Sequence, residues 1–307
     1  DRGSDGNTIA NNEVYGNGDG VVIFQSSGNT VRANLLRDNL RGVRVNATYD
    51  QTDEFDGIAT GNTIVGNTIK DNDQYGVYLY ERADRNTIKD NTIAGSGAAG
   101  VYIKTGGNTI AGNDIRLNGT GISILGGPLT PFPGGGPEPV PALELPGDKN
   151  RIQANTIDDN AAVGVQLKAA TNTLLGAATP GAAAGDGNSI RLNGSYGVTL
   201  NSGSSDTAIR GNLIEANGNA GVLVKDSASQ RNRITRNAIS ANGGLGISIG
   251  AGANGGIAAP TITSAPNAST VAGKAAPGAT VEVYRDPGGQ GLLYRGSTTA
   301  SGSGDWS

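Results

Sequence analysis

The stretch Asn108–Leu125, NTIAGNDIRLNGTGISIL, decides the fold. Asparagine stands at its first, sixth and eleventh positions, isoleucines alternate with small or polar residues, and a glycine introduces the last pair of isoleucines. Nearly the same string occurs at Asn86–Ile103 and at Asn62–Leu79. This alternation is typical of β-strands and not of helices. A repeat of short strands therefore organises the chain.

Nine copies of this repeat can be aligned, and the simplest spacing between them is 22 residues. The copies open at Asn7, Asn29, Asn62, Asn86, Asn108, Asn150, Asn172, Thr207 and Asn232. A period of this size is typical of solenoids, in which each unit buries its apolar side only by stacking on its neighbours. Three short strands per coil, with about 4.8 Å between coils, predict an all-β fold, a parallel β-helix of about nine coils.

The repeat also predicts which side chains point inward and which form the corners. One inward column contains Ile64, Ile88 and Ile110, and we expect it to reach Leu174 in the seventh copy. Columns of asparagine mark the corners, where the amide of each residue can pair with the asparagine one coil away. Asparagine tolerates a left-handed backbone, so we expect it to adopt that conformation there, with neighbouring glycines supplying further bends.

The period divides the chain into a long and a short part. Residues 1–254 form the predicted β-helix, with insertions at 49–61, 126–147 and 177–187. Residues 255–307 contain an Ala/Gly-rich linker and then short apolar runs separated by proline and glycine turns. These runs predict the start of a β-sandwich that is shorter than such a domain requires.

Composition excludes several classes of function. The chain has no Cys, His or Met, so it has no disulfide, no Ser-His-Asp triad and no imidazole–metal site. Its net charge of −4 without a Lys/Arg block argues against nucleic acid as a partner. No apolar run reaches the roughly 20 residues that span a bilayer. The missing Met indicates that the sequence begins downstream of its natural start, as part of a larger multidomain chain or as a processed monomer.

The pattern Asn-Thr-Ile-x-x-Asn-x-Ile-x-x-Asn, followed by Gly-Val-x-Ile, resembles the right-handed parallel β-helix proteins of the pectin-lyase-like superfamily. Its sequence pattern is similar to that of the copper-maturation (NosD-like) repeats and of large bacterial surface proteins. The runs NGGLGISIG and APTITSA near the C-terminus look like the junction between such a helix and a bacterial Ig-like domain. The resemblance implies a right-handed coil and a secreted or cell-surface location. A copper role is not expected, because His, Cys and Met are absent.

Aromatic and basic side chains occur together on one outer strip of the Gly-Val-x-Ile strand. The predicted ligand-binding residues there are Arg44, Tyr78, Tyr80, Tyr102 and Lys104, with Tyr75 at the edge. Aromatic faces beside cations suit a sugar ring that carries carboxylates. The alternative is purely structural, because tyrosines are also good cross-strand neighbours on an exposed sheet.

Acidic residues give two further hypotheses. Asp38 and Asp71 occupy equivalent positions in neighbouring coils, and Asp159 repeats that position later. Such a pair could serve a glycosidase, but Arg37 and Lys70 beside them favour ordinary solvated charge pairing. The oxygen-rich loop residues that are candidates for Ca²⁺ are Asp50, Asp53, Glu54 and Asp56. No other cofactor is expected.

We therefore interpret the chain as a non-catalytic, secreted or cell-surface β-helix protein with a structural or adhesive role, whose partner is a polysaccharide or cell-surface glycan. The alternative is a polysaccharide lyase or glycoside hydrolase of the pectin-lyase-like superfamily. Clustered acids, or an Arg/Lys/Tyr group with shifted pKa values, would favour the enzyme.

Overall fold

Three parallel β-sheets, each of nine strands, run the length of the β-helix in the computed structural model. The structure describes residues 3–47, 57–127, 147–179, 187–267 and 270–307. Each coil contributes one strand to each sheet, and every strand pairs in parallel with the strand one coil away. The predicted parallel β-helix of nine coils with three strands per coil is confirmed.

The strands are numbered in chain order. Sheet A consists of β1 (Thr8–Ala10), β4 (Thr30–Arg32), β7 (Thr63–Val65), β10 (Thr87–Lys89), β13 (Thr109–Ala111), β16 (Arg151–Gln153), β19 (Leu174–Gly176), β22 (Ala208–Arg210) and β25 (Arg233–Thr235). Sheet B consists of β2 (Glu13–Tyr15), β5 (Leu35–Arg37), β8 (Thr68–Lys70), β11 (Thr92–Ala94), β14 (Asp114–Arg116), β17 (Thr156–Asp158), β20 (Ser189–Arg191), β23 (Leu213–Glu215) and β26 (Ala238–Ser240). Sheet C consists of β3 (Asp19–Phe24), β6 (Arg41–Asn46), β9 (Tyr75–Tyr80), β12 (Ala99–Ile103), β15 (Thr120–Leu125), β18 (Val165–Lys168), β21 (Val198–Asn201), β24 (Val222–Val224) and β27 (Ile247–Ile249).

The core is a stack of aliphatic side chains between the three sheets. Ile88 pairs with Ile64 on one side and with Ile110 on the other, and all three side chains are fully buried. Sheets B and C supply matching columns, such as Ile93 and Val101 in the fourth coil. Full burial of such a side chain contributes about 2 kcal/mol, and every coil repeats this contribution on the coil below it.

The seventh coil departs from the predicted alignment by one residue. Leu175, and not Leu174, pairs with Ile152 of the sixth coil and is fully buried. Thr173 takes the position of the first corner asparagine. Asn172 instead adopts a positive φ of 50° and donates from Nδ2 to Asp148 Oδ1 at 2.7 Å. The prediction of Leu174 as a core residue was wrong, because this coil is one residue longer before its first strand.

Three ladders of polar side chains, mostly asparagine, run along the corners. The Nδ2 of Asn113 donates to Asn155 Oδ1 at 2.9 Å, to Ile88 O at 3.0 Å and to Ala111 O at 3.2 Å. Its Oδ1 accepts from the backbone N and from Nδ2 of Asn91, each at 3.0 Å. Each buried amide thus satisfies backbone groups where the chain leaves a sheet, which is a requirement for burying them.

The left-handed backbone lies one residue before these asparagines, which corrects the expectation that the asparagines themselves adopt it. Asp90, with φ 55°, precedes Asn91, and Leu117, with φ 57°, precedes Asn118. Glycine takes this position at other corners, such as Gly112. The asparagine is therefore selected for its amide hydrogen bonds, while the residue before it makes the bend.

The glycine of each Gly-Val-x-Ile motif is required by a close approach between coils. A Cβ on Gly76 would lie 2.5 Å from Ile93 Cγ2 and 2.6 Å from the carbonyl oxygen of Gly100. Such distances do not occur in folded proteins without a shift of the backbone, so any side chain at this position would push two coils apart.

The chain after the ninth coil forms two small antiparallel sheets. A 3₁₀ turn at Ala253–Gly256 is the only helical element in the described ranges, which contain no helix long and apolar enough to cross a membrane. The strands that follow are β28 (Thr261–Asn267), β29 (Thr270–Lys274), β30 (Thr280–Arg285), β31 (Leu293–Thr299) and β32 (Asp305–Trp306). Strand β29 pairs with β28 and β32, and β30 pairs with β31.

The hairpin of β30 and β31, here called the C-terminal cap, closes the last coil. Gln290 Oε1 accepts from the backbone N and from Nδ2 of Asn242, each at 3.0 Å, as the next asparagine of that ladder would. Its Nε2 donates to Asn242 O at 2.8 Å. Glu282 accepts from the hydroxyl of Thr235 and, at 3.1 Å, from the backbone N of Arg236.

Replacing Gln290→Ala is expected to lower the free energy of unfolding by about 2 kcal/mol, because the buried amide and backbone N–H of Asn242 lose their partner. Urea unfolding followed by circular dichroism measures this change. The control is Gln153→Ala, whose partly exposed side chain lies on sheet A and whose removal should cost less than about 0.5 kcal/mol. Equal stability of the two variants would show that the cap does not hold the last coil.

Candidate functional site

The five predicted ligand-binding residues meet on the outer face of sheet C. Arg44 pairs with Tyr78 and Tyr78 pairs with Tyr102, so these three side chains form one column across β6, β9 and β12. Tyr80 lies two residues along β9, and Lys104 directly follows β12, one coil on. Parallel pairing without a register shift therefore brings the five side chains together.

The tyrosines pack against each other on the surface of the sheet. Tyr78 is central: its ring centroid lies 5.0 Å from Tyr75, 5.4 Å from Tyr80 and 5.4 Å from Tyr102. The first two pairs are nearly parallel, with interplanar angles of 14° and 11°. Tyr75 also contacts Tyr102 at 4.9 Å. The result is a continuous aromatic surface, since centroid distances of this size are those of stacked rings.

Cations border the aromatic surface on two sides. The guanidinium of Arg41 lies 5.5 Å from the Tyr78 ring centroid, and Lys104 Nζ lies 5.1 Å from that of Tyr80. These are distances at which a cation is attracted to the ring face. Together, the cations and the four rings form what is called here the tyrosine surface: Arg41, Arg44, Tyr75, Tyr78, Tyr80, Tyr102 and Lys104.

Asp19 organises the two arginines. Its carboxylate accepts from Arg41 Nε at 2.5 Å and from Arg44 Nε at 2.9 Å. One carboxylate balances only one of these cations, so Asp19 and the two arginines together carry a net positive charge. Sequence reasoning missed Arg41 and Asp19, although they occupy the same strand position as Tyr75, directly before the motif glycine.

A buried polar atom without a partner lies at the edge of this surface. Asn46 pairs with Tyr80 in the register of sheet C. Its side chain is 6% exposed, and its Oδ1 accepts no hydrogen bond from the described residues. Such an orphaned buried acceptor costs about 1–3 kcal/mol.

Packing also changes the acidity of the tyrosines. Burial, and then the neighbouring Tyr80, Tyr102 and Tyr75 hydroxyls, raise the pKa of Tyr78 to about 12. Burial likewise raises the pKa of Tyr102 and of Tyr80. These phenols remain neutral at physiological pH, so they can donate hydrogen bonds but are poor general bases.

The raised pKa predicts how stability depends on pH. Between pH 10 and about 12 the folded state keeps the proton of Tyr78 and the unfolded chain loses it, so the free energy of unfolding falls as pH rises. Tyr78→Phe should make this fall smaller, as measured by urea unfolding at a series of pH values. The control is Tyr15→Phe, on sheet B and outside the cluster. Identical pH dependences for the two variants would contradict a buried, neutral Tyr78.

The carboxylates considered for glycoside hydrolysis are paired with cations at exposed corners. Asp38 Oδ2 accepts from Arg37 Nη1 at 2.5 Å, and Asp71 lies 3.6 Å from Lys70 Nζ. Their side chains are 53% and 57% exposed. Asp159 has the same left-handed corner conformation, with φ 55°. This geometry agrees with solvated charge pairing.

Acidic metal ligands do not gather in groups of three among the residues that the structure describes. Asp50, Asp53, Glu54 and Asp56 lie outside those residues, so Ca²⁺ binding there stays a prediction. Elsewhere in the described ranges, no three potential His, Cys, Asp or Glu ligands cluster. Copper does not fit this chain, because the whole sequence lacks the His, Cys and Met that copper prefers.

Two family models match separate parts of the chain. Residues 2–128 match the model described as periplasmic copper-binding protein (NosD), and residues 176–284 match the model described as right handed beta helix region. The fold is thus a right-handed parallel β-helix, as the resemblance of the repeat implied. No curated protein matches the sequence.

Solved structures with the same fold include two epimerases. A double mutant of the periplasmic alginate epimerase AlgG is similar with a TM-score of 0.55 and 18% identity, over 73% of this chain and 48% of that chain. The A-module of the Azotobacter vinelandii mannuronan C-5 epimerase AlgE6 is similar with a TM-score of 0.53 and 17% identity, over 79% of this chain and 71% of that chain. The chain spans about half the length of the AlgG structure. At these identities the likeness shows the fold alone.

Proposed function

We propose that this chain is a non-catalytic β-helix protein that binds an acidic polysaccharide weakly through the tyrosine surface. The observation that carries the proposal is the stack of four tyrosines with cations on two sides. A sugar ring presents C–H groups to an aromatic face, and its carboxylate can accept charge-assisted hydrogen bonds from a guanidinium or ammonium group. The neutral Tyr78 and Tyr102 hydroxyls add donors for sugar oxygens.

The geometry favours binding over catalysis. Hydrolysis requires two carboxyl groups facing one glycosidic bond, and Asp38 and Asp71 are instead exposed and paired with their neighbours. Removal of a proton next to a carboxylate requires a base that works near neutral pH. The raised pKa of Tyr78 makes it a weak candidate, and no His or Cys is present.

The alternative function is that of a polysaccharide lyase, glycoside hydrolase or related carbohydrate-modifying enzyme. Its support is the shared fold, since AlgG and AlgE6 are both described as epimerases. Arg44, Tyr78 and Lys104 would then have to supply both the base and the cation. The two functions differ in outcome, because an enzyme changes the glycan and a binding protein only retains it.

The location and the C-terminal segment form part of the same proposal. The matched family and AlgG are both described as periplasmic, which supports a location outside the cytoplasm, either secreted or at the cell surface. Residues 255–307 would belong to an Ig-like spacer. A separate small core of Val281, Ala300 and Trp306 supports this view. The β-helix would be the rigid part that presents the tyrosine surface.

Retention on immobilised glycans, with analysis of the eluted sugar, tests this function. The protein should be retained by polygalacturonate or alginate and not by neutral dextran. The double variant Tyr78→Ala with Tyr102→Ala should bind about tenfold more weakly, because two aromatic contacts are lost. Tyr15→Ala, which removes an exposed tyrosine from sheet B, is the matched control.

Three results would contradict the proposal in different ways. No retention of the unmodified protein would exclude these acidic glycans as ligands. Unchanged retention of the double variant would place binding elsewhere on the chain. New reducing ends, unsaturated sugars or epimerised residues in the eluate would establish the enzymatic alternative.

A further inference from the structure

Three lysines continue the tyrosine surface along the rod. Lys104 follows β12, Lys168 ends β18 and Lys225 follows β24. All three occupy the column of sheet C that also contains Tyr80, because Lys168 pairs with Leu125 and with Asn201 in an unbroken register. We call these three residues the lysine row.

The repeat sets an even spacing within the lysine row. Lys104 belongs to the fourth coil, Lys168 to the sixth and Lys225 to the eighth. Leu125 and Asn201 occupy the same column in the coils between them. Since neighbouring strands lie about 4.8 Å apart, the lysine positions are about 10 Å apart along the rod. This separation is comparable to that between charged groups on one side of an extended polyuronate.

The charges of the lysine row are not neutralised by the described part of the chain. None of the ion pairs among the described residues involves Lys104, Lys168 or Lys225. Lys168 and Lys225 are also exposed. Asp226 directly follows Lys225 in the sequence. Its carboxylate instead accepts from the backbone N of Ser202 at 2.6 Å and from the Ser229 hydroxyl at 3.0 Å. Among the described residues, this chain of net charge −4 thus carries a line of lysines without carboxylate partners on one face.

We propose that the lysine row extends the tyrosine surface into a linear track for a polyuronate chain that runs parallel to the β-helix axis. This inference rests on the proposed function, and it adds an orientation and a dependence on ligand length. A short oligosaccharide would contact only the tyrosine surface. A polymer would also place carboxylates at Lys168 and Lys225. Each exposed contact contributes little by itself, but contacts along one tethered chain act together.

The test compares polygalacturonate with trigalacturonate by isothermal titration calorimetry. The double variant Lys168→Ala with Lys225→Ala should bind the polymer about tenfold more weakly, from two contacts of roughly 0.7 kcal/mol each, and bind the trisaccharide as the unmodified protein does. Its affinity for the polymer should also depend less steeply on salt. The double variant Tyr78→Ala with Tyr102→Ala should bind both ligands more weakly.

Two further variants distinguish the effect of where the lysines lie from the effect of their charge alone. Lys70→Ala with Lys89→Ala removes the same charge from sheets B and A and should leave binding of the polymer unchanged. Lys168→Arg with Lys225→Arg keeps the charge in the row and should retain the affinity. Thermal unfolding of every variant confirms that these surface substitutions leave the fold intact.

The outcomes distinguish failure of the track from failure of the proposed function. If the Lys168→Ala, Lys225→Ala variant binds the polymer as tightly as the unmodified protein, while the tyrosine variant binds both ligands weakly, the track is wrong and the tyrosine surface stands. An equal loss caused by the sheet A and B lysines would also overturn the track, because net charge alone would then explain binding. If the unmodified protein binds neither ligand, both proposals fail together.

Discussion

Hydrogen bonding by corner amides is the interaction on which the rest of this molecule depends. At each corner the chain leaves one sheet and enters the next, so backbone groups there have no strand partner. A buried asparagine such as Asn113 accepts from the coil before it and donates to the coil after it. The amide column therefore fixes neighbouring coils at one register. Where the column reaches the last coil, Gln290 of the C-terminal cap supplies the same pair of groups.

Because the register is fixed, residues that lie one repeat apart in the sequence are neighbours in space. Tyr78 and Tyr102 are far apart along the chain, yet they stack because their strands pair without a shift. The same rule places two arginines on one carboxylate at Asp19, and it places lysines in the fourth, sixth and eighth coils of the outer column. A β-helix can thus display a long linear pattern of side chains on a rigid surface, which suits an extended polymer better than a compact ligand.

The repeat predicted the fold well because core residues recur at every coil, so an error at one copy is corrected by its neighbours. Prediction failed where that support was missing. The extra residue before Leu175 could not be located from spacing alone. In the candidate site, the alternation of inward and outward side chains along the strand predicted the outer column that contains Tyr78. The Asp19 bridge did not, because which of several carboxylates an arginine binds depends on side-chain conformation.

Cysteine cross-linking tests the coil register most directly, and the chain has no native Cys to interfere. Thr87 and Thr109 face each other on neighbouring coils of sheet A. Their separation of about 4.8 Å lies within the range that a disulfide can bridge. Thr87→Cys with Thr109→Cys should therefore cross-link on oxidation, as measured by mass spectrometry of the digested protein. Thr87→Cys with Ala111→Cys, two residues out of register, should not. Equal cross-linking of both pairs, or of the second alone, would contradict the stacked coils on which every outer surface depends.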